Sequence, residues 1–102
     1  MERITTQDLE RELAVLNGYF GIQDYDRVGR FELENAYGGY KLIRIMTVGG
    51  GERDISKRGT KREIYEHLYA INKVIYEFKE YFETQTGFAV DDMVVGNWRR
   101  KA

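Results

Sequence analysis

The chain has 102 residues, enough for one domain with a single hydrophobic core. It carries no cysteine, one histidine and no proline, so disulfides, thiolate chemistry, cysteine-ligated metals and a multi-histidine metal site within one chain are excluded. Sixteen basic and seventeen acidic residues leave a net charge of −1, which is not the balance of a polycation built for nucleic acid.

The first segment, Thr6 to Asn17, reads as a helix. Leu9, Leu13, Leu16 and Phe20 follow a 4-3-4 spacing on one helical face. Thr5-Thr6-Gln7-Asp8 matches a capping box, Ile4 and Leu9 stand at hydrophobic-staple spacing, and Gly18 is the expected stop. The polar and acidic stretch from Gly21 to Gly29 reads as a loop.

Arg30 to Val48 reads as a β-hairpin centred on Gly38-Gly39. A two-residue Gly38-Gly39 turn pairs Leu33 with Arg44. A three-residue Tyr37-Gly38-Gly39 loop pairs Leu33 with Ile43, Phe31 with Ile45 and Glu32 with Arg44. The second register matches apolar with apolar and acid with base, so it is the expected one. The basic, glycine-rich connection from Gly49 to Gly59 has room for a short strand around Arg53 to Ser56.

Lys61 to Thr84 carries the strongest pattern. Thr60-Lys61-Arg62-Glu63 forms a capping box, and Ile64, Leu68, Ile71, Ile75, Phe78 and Phe82 repeat along one helical stripe, with Gly87 as the stop. The expected architecture is α+β: an N-terminal helix, a hairpin with room for a third short strand, and a long amphipathic helix on one sheet face. Residues 1–97 form the expected single domain, and the basic end 98–102 is set apart. Phe88 to Ala102 has no single reading: Phe88, Val90, Met93, Val94, Val95 and Trp98 are too apolar for a free tail, while the last five residues are a basic end. No basic start is followed by an apolar stretch, and no run is long enough to span a membrane, so the expected location is cytoplasmic.

The small net charge conceals four blocks. Residues 1–34 carry −4, residues 35–62 carry +5, residues 63–97 carry −5 and residues 98–102 carry +3. The basic block places Lys57, Arg58, Lys61 and Arg62 around the start of the long helix, with Arg53 just upstream. Cations beside the N–H groups of a helix start suit a phosphate or carboxylate; the alternative is a solvated basic turn balanced by Glu63 and Glu66.

No residue pattern supplies catalysis. The glycines at 49–51 lack the spacing of a P-loop or dinucleotide fingerprint, and His67 reads as a boundary histidine near Glu63 or Glu66. The pairs Asp24 and Asp26, and Asp91 and Asp92, read as solvated loop acids rather than a metal site. No cofactor is expected.

Tyr65, Tyr69 and Tyr76 form a second stripe on the long helix, off the core centre. Tyrosine offers large contact area at low entropy cost, so this stripe is either a protein interface or a surface covered by another segment of the chain. The hairpin's other face, with Ala36, Tyr40, Leu42 and Met46, raises the same question: two helices do not easily cover both faces, so either the C-terminal tail covers one or another chain does, as in a homodimer or a partner complex.

Gly51, Ser56, Lys57, Arg58, Lys61 and Arg62, in a helix–strands–basic loop–helix order, resemble the basic run of a double-stranded-RNA-binding domain. That resemblance implies nucleic-acid binding through this loop and helix start. Ala36-Tyr37-Gly38-Gly39-Tyr40 and Gly59-Thr60-Lys61-Arg62-Glu63-Ile64-Tyr65 resemble segments of small phage and mobile-element accessory proteins, a class that includes anti-CRISPR inhibitors. This second resemblance implies a non-enzymatic module that occludes a host protein, such as a nucleic-acid-handling defence enzyme. The resemblance assigns no residues; from the off-core stripe and the cations at the helix start, Tyr65, Tyr69 and Tyr76 are expected to supply the contact area, and Arg53, Lys57, Arg58, Lys61 and Arg62 to meet an acidic or phosphate-bearing surface.

Overall fold

The structure, a computed structural model, describes residues 3–86. The expected domain limit at residue 97, the basic end 98–102, the stop at Gly87 and the apolar segment from Phe88 lie outside the described residues. The fold is α+β. Helix α1 (Thr6–Tyr19) precedes strands β1 (Phe31–Ala36), β2 (Gly39–Ile45) and β3 (Glu52–Asp54), and helix α2 (Lys61–Thr86) follows. The strands form one antiparallel sheet in the order β1-β2-β3.

Helix α1 starts as its sequence dictates. The Thr5 hydroxyl accepts from the Asp8 N–H at 3.1 Å, and the Asp8 carboxylate accepts from the Thr5 N–H at 2.9 Å. Its end differs from expectation, because the helix passes through Gly18. The Ile22 N–H bonds the Asn17 carbonyl at 2.9 Å and the Gly21 N–H bonds the Gly18 carbonyl at 3.0 Å, a Schellman closure. Gly21 takes the left-handed residue of that closure at φ 72°, so it, not Gly18, is the stop.

The hairpin register is one residue away from the expected one. Leu33 pairs with Leu42, Phe31 with Arg44, Glu34 with Lys41 and Ala36 with Gly39. The turn is therefore Tyr37-Gly38, with φ values of 53° and 74°, as a type I′ turn requires. Gly39 belongs to β2, and a Cβ there would stand 2.9 Å from the Gly59 carbonyl oxygen. The glycine needed for that close backbone approach is unavailable to the turn, and Tyr37 takes a left-handed position instead. Such a conformation costs a non-glycine residue on the order of 1–3 kcal/mol. Tyr37→Asn supplies the preferred Asn-Gly turn pair and is expected to raise the melting temperature by about 2–4 °C, even after loss of the contact with Arg58.

This register decides the faces. Phe31, Leu33, Tyr40 and Leu42 share the helix-covered side, where Phe31 and Leu42 join Leu9, Leu16, Ile64 and Leu68 in the core. Ile43 and Ile45 project to the other side and are likewise buried within the single chain. Lys41 lies on that second side, 3.1 Å from Asp54 and 3.8 Å from Glu34. At the end of the sheet the Arg44 guanidinium lies 5.1 Å from the Phe20 ring centre and 5.0 Å from that of Phe31.

The two helices run parallel, side by side. Asn72 of α2 donates to the Glu12 carbonyl and carboxylate of α1 at 2.9 and 3.1 Å, and one heptad later Lys79 stands 4.9 Å from the Tyr19 ring centre. The apolar stripe of α2 is fully buried at Ile64 and Leu68, half-buried at Ile71 and Ile75, and exposed at Phe78. From Lys79 onward α2 extends past the level of Tyr19, the end of α1.

Candidate functional site

The tyrosine stripe divides in two. Tyr65 packs against the core edge, half-buried, and stacks on Tyr69 with ring centres 6.2 Å apart. Tyr69 and Tyr76 are exposed, at 54% and 46%. Between them Lys73 lies 5.7 Å from the Tyr76 ring centre and 3.2 Å from the Glu77 carboxylate. The Tyr76 hydroxyl donates to Glu80 at 3.2 Å. The Glu80 charge, and then that hydrogen bond, push the phenol above its usual range, so Tyr76 stays neutral and presents its ring. The pattern is a row of aromatic faces held by helical neighbours, with one cation between them. Lys73 escaped the sequence reading, although its spacing from Tyr69 and Tyr76 was there to be used.

The five candidate cations of the basic block differ in their surroundings. Arg53 is exposed on β3, opposite Arg44, and Lys57 is exposed in the following loop. Lys61 and Arg62 occupy the first turn of α2, the first half-buried and the second exposed. Arg58 turns inward. Its guanidinium pairs with the Glu34 carboxylate, donates to the Ala36 carbonyl at 3.0 Å and lies 5.3 Å from the Tyr37 ring centre. That geometry makes Arg58 a brace for the hairpin tip. Tyr37, which sequence reasoning treated only as part of the turn, is 94% exposed there.

The start of α2 is also capped from within. The Glu63 carboxylate accepts from the Thr60 N–H at 2.8 Å, and the Thr60 hydroxyl accepts from the Glu63 N–H at 3.1 Å. Two of the N–H groups that an anion would use are therefore satisfied, and a carboxylate already stands at the positive end of the dipole.

Three carboxylates are held below their usual range: Asp8 chiefly by the Thr5 N–H, Glu34 chiefly by its bond from Arg58, and Glu63 chiefly by the Thr60 N–H. A lowered folded-state pKa contributes stability that is present above the unfolded value and disappears as pH falls through the folded one. Urea midpoints are thus expected to fall from about pH 5 downward. Glu63→Gln keeps an acceptor for Thr60 without a titrating group, so its midpoint is expected to lose less on acidification than that of the parent chain.

Among the described residues, no group of three or more metal-ligating side chains converges, and no helix is long and apolar enough to cross a membrane. An open groove of about 480 Å³ lies between α1 and β1, lined in part by Glu10, Leu13, Leu33 and Tyr40. No family model, curated protein or solved structure matches the chain.

Proposed function

We propose that this chain is a non-catalytic protein-binding module, of the kind phages and mobile elements use to occlude a host protein that handles nucleic acid. The observation that carries this reading is the exposed Tyr69–Lys73–Tyr76 row, stacked on an anchored Tyr65. Buried tyrosines are among the residues that dominate interface energetics, and a partly pre-stacked row loses little freedom on binding.

The basic block supports a secondary contact. Arg58 is engaged at the hairpin tip, so Arg53, Lys57 and Lys61 are the cations proposed to meet an acidic surface, with Arg62 exposed in the same first turn as Lys61.

The test is partner capture from host cells, followed by titration of the purified partner. Tyr69→Ala combined with Tyr76→Ala is expected to weaken binding by about 100-fold or more while leaving the melting temperature nearly unchanged. Undiminished capture by the double variant overturns the role of the row. Direct nucleic-acid binding gives a different signature: four phosphate contacts would make log K fall with log salt at a slope of about −3 to −4. A salt-steep affinity for RNA or DNA that ignores the tyrosines would replace this reading.

A further inference from the structure

Strand β1 is an edge strand, and among the described residues half of its outer edge is open. On β2, Tyr40 exchanges backbone bonds with Gly59 at 2.8 Å, and the Leu42 carbonyl accepts from Ile55 at 2.9 Å. Those residues face away from β1, so Gly39, Lys41, Ile43 and Ile45 face toward it. The N–H and C=O groups of Phe31, Leu33 and Asn35 consequently point outward. Phe31 is satisfied, because the Asn17 side chain accepts from its N–H at 2.8 Å and donates to its carbonyl at 3.1 Å. Leu33 and Asn35 have no such partner among the described residues, leaving two donors and two acceptors in a row.

The groove beside α1 adjoins this open stretch. Leu13, Leu33 and Tyr40 contribute its apolar surface, Glu10 lines its α1 side, and Glu32 projects on the other face of the strand. Neither glutamate has an ion-pair partner among the described residues, whereas Glu34 is matched by Lys41 and Arg58. Arg30 also lines the groove, but its guanidinium is held by the Gln23 and Asp26 carbonyls.

We propose that this edge docks an extended basic segment of another protein as a fourth strand, through main-chain bonds to Leu33 and Asn35. Side chains of the added strand opposite Leu33 enter the groove and should be apolar. The one opposite Glu32, which has no ion-pair partner among the described residues, lies on the other face and should be lysine or arginine, which gives a basic–apolar alternation. A second copy of this chain is the wrong occupant. Two-fold antiparallel pairing that sets Leu33 against Leu33 or Asn35 brings Glu34 or Ala36 opposite Glu32, and neither supplies the cation that this position calls for.

The probe is a capped heptapeptide of alternating lysine and valine, titrated into the full chain and followed by amide hydrogen exchange. Binding is expected to slow exchange at Leu33 and Asn35 by about tenfold or more, with little change at Phe31, whose amide is already bonded. Asn35→Pro removes an outward N–H without breaking a bond to β2, and is expected to weaken binding by about tenfold. The same peptide N-methylated at the amides facing β1 must lose as much, with no change to the protein. Glu32→Lys is expected to reverse the preference toward a glutamate–valine peptide. Equal binding after N-methylation, equal binding of the acidic peptide by the parent chain, or sedimentation as a dimer that Asn35→Pro dissociates each overturns the proposal.

Discussion

Asn17→Ala is expected to lower the unfolding free energy by about 2–4 kcal/mol, read as a drop in urea midpoint with an unchanged slope. Asn17 is buried at the end of α1, where its amide makes both bonds that a neighbouring strand would make to Phe31. Removal leaves a buried N–H and a buried C=O of the sheet without partners, and each omission costs about 1–3 kcal/mol. The change takes a large share of the roughly 5–15 kcal/mol that holds a domain together. Asn17→Asp separates the two bonds. The aspartate still accepts from the Phe31 N–H but, when ionised, sets a buried charge against the Phe31 carbonyl. Its folded-state pKa should lie above the unfolded one, so this variant should be weakest at neutral pH and regain stability as acid protonates the side chain.

Leu42→Ala is expected to cost about 2–5 kcal/mol, the range for a fully buried leucine whose site cannot collapse. Leu42 lies opposite Leu33 on the helix-covered face and belongs to the core cluster with Leu68 and Ile64. A loss well under 1 kcal/mol would contradict that burial, which Leu33→Ala, at a half-buried site, would test less sharply.

Both helices were legible because their signals are local. The capping boxes at Thr5 and Thr60 and the stripe from Ile64 to Ile75 need only neighbours within one or two turns. The register was not legible, because it depends on a contact across the chain. Gly39 reads as a turn residue until Gly59, twenty positions later, is laid against it. Pairing acid with base also misled, since the observed register matches Glu34 with Lys41 rather than Glu32 with Arg44. Asn17 and Asn72 read as unremarkable polar positions in helical runs, yet their partners lie 14 and 60 residues away.

The candidate site divides in the same way. Helical phase placed Tyr65, Tyr69 and Tyr76 off the core stripe. Their different burial depends on what lies beside each turn of α2, which phase does not encode. Arg58 was indistinguishable from Lys57 in sequence, because its engagement depends on where the hairpin tip ends in space.

The parallel arrangement of α1 and α2 has a kinetic consequence. Antiparallel helices joined by a short loop can meet early as a hairpin, but these two cannot. The Asn72–Glu12 link spans 60 residues, and the whole sheet must carry the chain back to the level where α1 began before α2 can lie alongside it. Closure of so long a loop is entropically costly, and contacts of this separation slow folding relative to a helical bundle of the same size. The helix pair should therefore form together with the hairpin in one concerted step, and a fragment ending at Gly59 should have no stable partial structure to fall back on.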